Sequence, residues 1–288
     1  MKGIILAGGS GSRLAPLTRS ISKHLLPIYN KPLIYYPLSV LMIGGIKDIL
    51  IITSEGQTDL YKETLGDGSE FGVSLSYETQ IKPKGIADAF LLGSDFIGHD
   101  SVTLILGDNI FWGHAFSIMF RKALNKNKGA TLFGYQVKDP ERFGVIEYDE
   151  NQKVIGIEEK PKEPKSNFAA TGLYIYDNRV VNLARSLKPS DRGELEITDL
   201  NNKYVELDAV EVELLGRGFS WLDAGTVESL FDASSFIKII EERQGFKVSC
   251  IEEIAYTNGW ISKSDMIARA EKLKNTDYGD YILDLVNK

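Results

Sequence analysis

The sequence has little cysteine, no long apolar run and no excess of positive charge. A single cysteine, Cys250, excludes an intramolecular disulfide and is typical of a reducing compartment, so we expect a cytoplasmic location. No apolar run approaches the roughly 18 residues that cross a bilayer, and no basic segment leads into a secretory signal. We therefore expect no membrane partner.

The balance of charge argues against a second class of partner. The chain has a net charge of −7 at pH 7, whereas nucleic-acid-binding proteins present a broad basic face, so we expect no nucleic-acid partner. A site for anionic substrates must then be a local group of Arg and Lys residues within an acidic protein. The length of 288 residues is sufficient for one large α/β domain or two small ones.

Two common phosphate-binding fingerprints are also missing. The dinucleotide fingerprint G-x-G-x-x-G fails because Leu14 stands where the third glycine belongs, which excludes an oxidoreductase built on it. No glycine is followed by lysine and then Ser or Thr, as a P-loop requires. A different glycine-rich segment is present instead: the apolar run 3–7 leads into Gly8-Gly9-Ser10-Gly11-Ser12-Arg13.

This glycine-rich segment has the properties of an anion site. Glycines leave backbone N–H groups open to close approach, and successive N–H groups after a strand form a concave site for phosphate. Arg13 adds a planar set of donors that suits phosphate oxygens. The glycines alone are equally consistent with a simple turn. Lys23, ahead of Leu25-Leu26-Pro27, favours the phosphate site because both cations could face one anion.

Apolar runs alternate with helical patterns along the first half of the chain. This alternation predicts an α/β fold with a Rossmann-like mixed, mostly parallel central sheet flanked by helices, and ligands beyond the carboxyl ends of its strands. The predicted strands are 3–6, 48–53, 73–78, 102–106 and 130–135, then 144–148, 154–158, 172–176 and 210–215 in a more mixed second half. The predicted helices are 36–43, 58–65, 86–96 and 116–125, then 229–243, 264–273 and 278–286. We predict an α/β core over 1–226 and a helical C-terminal segment over 227–288 packed on it.

Segments in order along nearly the whole chain resemble those of the sugar-1-phosphate nucleotidylyltransferases. They are 8–28, 31–37, 106–109, 158–161, 192–199, 221–226 and 252–256. The resemblance implies transfer of a thymidylyl group from dTTP to glucose 1-phosphate, giving dTDP-glucose and pyrophosphate on the way to dTDP-rhamnose or another dTDP-deoxysugar. It also implies that the first half of the core binds nucleotide and the second half sugar phosphate. A homotetramer that is inhibited by its end product is implied as well, with the C-terminal segment 227–288 serving regulation or an interface.

The resemblance further implies a Mg²⁺ ion held by Asp108 and Asp223. Nucleotidyl transfer joins two polyanions, so a divalent cation and basic side chains must neutralise the charge of the transition state. Mg²⁺ takes one or two carboxylates together with phosphates and water. The resemblance assigns Arg13 to the departing pyrophosphate and Lys23 to the two reacting phosphates. Taken alone, each of these cations could instead be a solvated surface charge.

The other expected contacts fall into three groups. Nucleotide contacts are expected at Gly8, Gly9, Gly11, Ser12, Arg13, His24, Gln80, Gly85, Asp108 and Asn109. Sugar-phosphate contacts are expected at Gly144, Glu159, Lys160, Ala170, Thr171, Tyr174 and Arg192. A second, regulatory site is expected at Gly113, His114, Arg217, Gly218, Cys250 and Glu253. Arg192 could instead pair with Glu194 and Glu196, and the glycines around Arg217 could form a simple β-turn.

Two departures from the family pattern concern the nucleotide. His24 stands where many members have glutamine, and Asp88 stands where an amide is common. A uridylyltransferase, or an enzyme for another hexose 1-phosphate, is therefore the alternative within the class. A non-catalytic nucleotide-sugar sensor is the alternative outside it. Retention of the expected cations and both expected metal ligands favours an enzyme, because a sensor need not keep them.

Overall fold

The described part of the chain, residues 1–9 and 11–287 of a computed structural model, alternates strands and helices; Ser10 and Lys288 lie outside it. The strands are β1 (Lys2–Ala7), β2 (Pro27–Ile28), β3 (Lys31–Pro32), β4 (Asp48–Ser54), β5 (Ser74–Gln80), β6 (Val102–Leu106), β7 (Asn109–Gly113), β8 (Ala130–Gln136), β9 (Gly144–Tyr148), β10 (Val154–Glu159), β11 (Phe168–Tyr176), β12 (Val210–Leu215) and β13 (Phe219–Asp223). The helices are α1 (Tyr35–Ile43), α2 (Thr58–Leu65), α3 (Asp88–Leu92), α4 (Ser94–Ile97), α5 (Phe116–Lys126), α6 (Val180–Arg185), α7 (Ile197–Glu206), α8 (Val227–Gln244), α9 (Ile251–Thr257), α10 (Lys263–Lys272) and α11 (Asp277–Asn287).

The central sheet is built around β1. This strand pairs in parallel with β4 and with β6, and β4 pairs in parallel with β5. Strand β11 runs antiparallel to β6 and joins this parallel half to β8, β9 and, through them, β10 and β12. The order across the sheet is β10-β9-β11-β6-β1-β4-β5. The predicted Rossmann-like sheet, mostly parallel in the first half and mixed in the second, is confirmed.

Successive residues of the central strands enter opposite layers of the core. Ile5 and Ile51 pack into one layer with α1 and α5, whereas Ile4 and Leu50 pack into the other with α3, α6 and α7. Strands that are apolar on both faces need helices on both faces. The result is a doubly wound arrangement, in which the loops after β1, β4, β5 and β6 meet at one edge of the sheet.

Two predictions about the elements were wrong or incomplete. The helix expected over 86–96 is two short helices, α3 and α4, separated by Gly93. A Cβ at Gly93 would lie 3.0 Å from the Ile4 side chain, so the close approach of this helix to β1 requires glycine at that point. Strands β2 and β3, which pair with each other, strands β7 and β13, which likewise form a pair, and helices α6, α7 and α9 were not predicted.

The C-terminal helices pack on the core at several places. Helix α8 contacts β2 and β13, and α9 contacts α1. Helices α10 and α11 share a cluster that includes Met266 and Ile282. Helix α8 begins at the predicted boundary, where the Thr226 hydroxyl accepts a hydrogen bond from the Ser229 backbone. The division into two parts stays a prediction. None of the described helices is both long enough and apolar enough to cross a membrane.

Candidate active site

Two carboxylates meet at the carboxyl ends of the parallel strands. The chain leaves β6, turns through Gly107 and Asp108, and continues as β7. Strand β13 runs antiparallel to β7 and places Asp223 opposite Asn109. The Ala224 backbone N–H donates a hydrogen bond to the Asp108 carbonyl oxygen at 2.9 Å. The pairing of these two strands therefore unites the two expected metal ligands, which lie far apart in the sequence.

The two carboxylates differ in their electrostatic surroundings. Burial would raise the pKa of Asp108, but the Lys23 ammonium, 2.5 Å from its Oδ2, and other donors lower that pKa to about 2. Burial raises the pKa of Asp223, and the negative charge of Asp108 raises it further, against the opposing effect of Arg142 and Arg13. Asp108 is therefore ionised at neutral pH, and its charge disfavours a second charge nearby unless a cation lies between them.

The donor set fits a magnesium ion. Within residues 1–9 and 11–287, no group of three or more His, Cys, Asp or Glu side chains is arranged to hold a metal by itself. Two carboxylates at one edge nevertheless suit Mg²⁺, which binds oxygen and keeps several positions for substrate phosphates and water. Asp108 and Asp223 would hold the ion. Mg²⁺ stays a prediction.

Asn109 holds Asp108 in position. Its amide oxygen accepts hydrogen bonds from the Gly172 backbone at 3.1 Å and from the Trp221 indole at 2.6 Å. Its amide nitrogen is thereby directed to the Asp108 carboxylate, at 2.9 Å. Because Asn109 is only 3% exposed, the structure gives it a supporting role, and the expected nucleotide contact stays a prediction.

Lys23 and His24 lie side by side but face different surroundings. Lys23 begins a short 3-10 helix and pairs with the Asp108 carboxylate. The His24 imidazole is 1% exposed, and its Nδ1 lies 3.0 Å from the Tyr61 hydroxyl and 3.1 Å from the Ser22 hydroxyl. Burial, and then the charge of Lys23, lower the pKa of His24 to about 3, so it is neutral. His24 packs against Gly107 beneath the turn between β6 and β7, and its contact with a nucleotide stays a prediction.

The described part of the glycine-rich loop uses the freedom of glycine twice. Gly9 has a φ of 99° and Gly11 a φ of 59°, both in the left-handed region. The Thr18 hydroxyl donates to the Gly11 carbonyl oxygen at 2.8 Å. A short 3-10 helix then begins at Ser12 and places Arg13 against the cavity that contains the two carboxylates.

Of the nucleotide contacts expected outside this loop, Gln80 lies beside it. Gln80 ends β5, and its Oε1 lies 2.9 Å from the point that a Cβ on Gly8 would occupy. Its amide nitrogen donates to the Asp88 carboxylate at 2.9 Å. Gly85 has a φ of 97°, and a Cβ there would overlap the Leu195 backbone. The Leu195 backbone therefore occupies the side of Gly85 on which a side chain would lie. A base contact through the Gly85 backbone stays a prediction.

Substitution of Gly85 by alanine is expected to lower the free energy of unfolding by about 2–4 kcal/mol, because the left-handed conformation and the overlap with Leu195 both oppose a side chain. Urea unfolding would measure it. Gly45→Ala is the matched control: Gly45 has a φ of 83° with no atom within 4 Å of the added Cβ. Only the backbone cost of about 1–2 kcal/mol should remain there. Equal losses in the two variants would contradict the role of Leu195.

The expected sugar side of the site is formed by β9, β10 and α7. Glu159 lies opposite Gly144 in the strand pair, and its Oε2 accepts a hydrogen bond from the Thr198 hydroxyl at 2.7 Å. Lys160 follows with a φ of 46°, and its backbone N–H donates to the Phe143 carbonyl oxygen at 2.9 Å. A lysine in the left-handed region costs about 1–2 kcal/mol, so the surrounding structure must impose it.

The remaining expected sugar-phosphate contacts differ in whether they line the cavity, are buried or are paired with another side chain. Ala170 and Tyr174, on β11, line the cavity. Thr171 lies between them in the sequence and is fully buried, and its hydroxyl has no hydrogen-bond partner in the described chain. Arg192 makes a forked pair with Glu196 at 2.8 and 3.2 Å, which is the alternative that the sequence left open. Its contact with a phosphate stays a prediction.

One cavity of about 260 Å³ brings together nine of the expected site residues. Of the expected residues, its lining contains Arg13, Asp108, Asn109, Gly144, Glu159, Lys160, Ala170, Tyr174 and Asp223. It also contains Arg142 and Asn201, which the sequence analysis missed. The only sequence signal for Arg142 was its place two residues before Gly144. The cavity therefore contains the local group of cations that was expected within an acidic protein, namely Arg13, Arg142 and Lys160.

The expected regulatory residues lie in two neighbouring regions. Gly113 ends β7 opposite Phe219 in the strand pair, which brings the loop 113–114 next to the loop 216–218. His114 and Arg217 are exposed, and Gly218 has a φ of 90°.

Gly113 also lines a second cavity, of about 170 Å³, together with Val248 and Ser249. Cys250 follows at the start of α9, 1% exposed, and burial raises its pKa, as expected of a small buried hydrophobe. Glu253 accepts a hydrogen bond from the Tyr281 hydroxyl at 2.7 Å. The structure thus brings Gly113 close to the segment that precedes α9, whereas a role in regulation stays a prediction.

Comparison with known families agrees with this arrangement. Residues 2–239 match the nucleotidyl transferase family. The solved structure of a UDP-glucose pyrophosphorylase with UDP-glucose, 24% identical, has a TM-score of 0.73 over 83% of this chain and 98% of that one, which shows a shared fold. The chain belongs to the nucleotidyl transferase family.

Full-length relatives narrow the assignment. The glucose-1-phosphate thymidylyltransferase of Neisseria gonorrhoeae is 56% identical over 100% of both chains, and that of Mycolicibacterium smegmatis is 51% identical over 100% of both. A crystal structure of a Bacillus anthracis protein described by the same name, in complex with sucrose, is 47% identical with a TM-score of 0.76, covering 82% of this chain and 94% of that one. Within its family, the chain belongs with the glucose-1-phosphate thymidylyltransferases.

Proposed function

We propose that this chain transfers a thymidylyl group from dTTP to α-D-glucose 1-phosphate and releases pyrophosphate and dTDP-glucose. The observation that carries the proposal is the pairing of β7 with β13. It sets Asp108 and Asp223 side by side in a cavity that also contains Arg13 and Lys160. Two carboxylates for a divalent ion and separate cations for two phosphorylated substrates are what nucleotidyl transfer needs.

The chain's own residues would act by position and charge. A phosphate oxygen of glucose 1-phosphate attacks the α-phosphorus of dTTP, and pyrophosphate leaves from the opposite side. Arg13 would bind the leaving pyrophosphate as a fork, and Lys23 would bind the reacting phosphates as a point charge. Lys160 would bind the sugar's phosphate, and Glu159 would accept hydrogen bonds from sugar hydroxyls. Mg²⁺, when bound by the two aspartates, neutralises charge on the phosphates.

Pyrophosphate release tests the proposal. The protein is incubated with Mg²⁺ and each pairing of a nucleoside triphosphate with a hexose 1-phosphate. We expect the highest kcat/KM with dTTP and glucose 1-phosphate. No release with any pair would exclude the enzyme and favour a nucleotide-sugar sensor. Comparable rates with UTP and dTTP would contradict the thymidylyl assignment.

We further propose a cytoplasmic homotetramer whose product enters dTDP-rhamnose or another dTDP-deoxysugar route, with feedback at the second cavity. A closed symmetric assembly is the common outcome for soluble oligomers. Gly113 lines that cavity, and the loop next to Gly113 carries Arg217, an exposed cation for an anionic end product.

A further inference from the structure

Gln80 and Asp88 form a buried hydrogen-bonded pair beside the glycine-rich loop. The Gln80 Nε2 lies 2.9 Å from the Asp88 Oδ2, and the two residues are 6% and 7% exposed. A carboxylate offers only acceptors, whereas a glutamine amide offers a donor at one end and an acceptor at the other. The amide of Gln80 therefore turns its nitrogen towards Asp88.

The orientation of one end of this amide fixes the other. The Gln80 Oε1 faces the loop after β1, 2.9 Å from the point that a Cβ on Gly8 would occupy. A neutral amide at position 88 would permit both orientations of Gln80, because an amide can donate as well as accept. The carboxylate of Asp88 permits only the orientation in which the amide nitrogen of Gln80 faces it. In this chain the loop side of Gln80 is thus held as an acceptor.

We propose that Asp88 fixes the Gln80 amide as an acceptor for the base and thereby selects nucleotides whose base carries an N–H at N3. This inference rests on the proposed function and on the expected nucleotide contact of Gln80, taken here as a contact with the base. Thymine and uracil carry a proton on N3 and can donate it to Oε1. Cytosine has an unprotonated N3, which would face Oε1 as one acceptor against another. Asp88 is accordingly a positioning residue that does not itself touch the nucleotide.

Rotation of the amide does not relieve the mismatch with cytosine. A rotated Gln80 would donate to the cytosine N3, but its Oε1 would then face the Asp88 carboxylate in a buried place. Two buried acceptors in contact leave both without a donor and repel each other. Discrimination against cytosine therefore has two sources. One is the contact of the Gln80 Oε1 with the cytosine N3, and the other is the contact between Oε1 and the Asp88 carboxylate that a rotated amide would make.

The test compares dTTP with dCTP, each with glucose 1-phosphate and Mg²⁺, in the wild type and in Asp88→Asn. The ratio of kcat/KM for dTTP to that for dCTP should fall roughly tenfold or more in Asp88→Asn, because either amide orientation then finds a partner. The change should appear mainly in KM, with kcat for dTTP within about twofold, since Asp88 would act on the base through Gln80 and not on the phosphates. Asp95→Asn, an exposed acid on the neighbouring helix α4, is the matched control and should leave the ratio unchanged.

A second variant separates positioning from a general structural effect. If Asp88 acts through the amide, Asp88→Asn should not change the ratio further in a Gln80→Met background. An additional loss there, or an unchanged ratio in active Asp88→Asn alone, would overturn the inference. Absence of pyrophosphate release by the wild type with every nucleotide would instead overturn the proposed function.

A binding measurement on the wild type does not depend on whether a variant folds. Titration calorimetry with Mg²⁺ compares dTTP, dCTP and 3-methyl-dTTP, whose methyl group replaces the N3 proton. Both dCTP and 3-methyl-dTTP should bind at least about tenfold more weakly than dTTP. Equal binding of the three nucleotides would overturn the inference, whatever the catalytic activity.

Discussion

Replacement of Asp108 by asparagine is expected to lower kcat at least about a hundredfold while leaving the fold intact. Asparagine has nearly the same shape but no charge, so a divalent ion would lose half of its protein carboxylates. Lys23 would also lose the ion pair that holds it at the site. The fold should persist because the asparagine oxygen can still accept a hydrogen bond from Lys23. Pyrophosphate release at saturating substrates measures the rate, and far-ultraviolet circular dichroism checks the fold.

The matched control lies at the other end of the same strand. Asp100 precedes β6, is 51% exposed and pairs with the N-terminal amine, so Asp100→Asn should change kcat by less than about twofold. Asp223→Asn should reproduce the loss, because both carboxylates would bind one ion. An unaffected rate in Asp108→Asn would remove Asp108 from the metal site.

A buried ion pair anchors α8 to the β2–β3 hairpin. The Lys31 ammonium lies 2.9 Å from the Glu241 Oε1, and both side chains are 2% exposed. Glu241 also accepts hydrogen bonds from the Asn30 amide and the Val248 backbone, and Lys247 lies 3.4 Å away. Burial lowers the pKa of Lys31 in spite of the attraction of Glu241. Burial of the Lys31 ammonium is therefore costly in free energy, and the Glu241 carboxylate offsets that cost.

The substitution Glu241→Gln is expected to lower the free energy of unfolding by about 3–5 kcal/mol, because it leaves the Lys31 charge buried without a carboxylate. Lys31→Met should cost less, since Lys247, Asn30 and the Val248 backbone still satisfy Glu241. Urea unfolding followed by tryptophan fluorescence would measure both.

The control for this substitution is the next residue along the helix. Glu242 is 57% exposed and its contact with Lys238 is 3.7 Å, so Glu242→Gln should change stability by less than about 0.5 kcal/mol. A loss in Glu241→Gln no larger than in Glu242→Gln would show that the Lys31 charge does not depend on its partner.

The sequence predicted the regular core well and the small elements poorly. The strand over 102–106 and the helix over 58–65 were predicted with the bounds that the structure has. Continuous apolar runs and a clear three- and four-residue spacing identify such elements locally. Strands β7 and β13 have five residues each, as β6 does, and were missed. Each pairs with the other, across a separation that no window of sequence spans.

The candidate site shows the same division. Resemblance to a family supplied the segments that contain Asp108 and Asp223, but not the contacts that hold them. That His24 lies buried beneath Gly107, and that Leu195 fills the space beside Gly85, depends on backbone from distant segments. Hydrogen-bond partners of this kind become visible only when the chain is folded.

The pairing of β7 with β13 also means that the two aspartates of the site are translated at different times. A ribosome completes β1, β4, β5, β6 and the glycine-rich loop well before it makes Asp223. A nascent chain released before β13 would contain the parallel strands and only one of the two aspartates proposed to hold the ion. At the proposed site, tight uptake of the ion would therefore report that translation has passed β13.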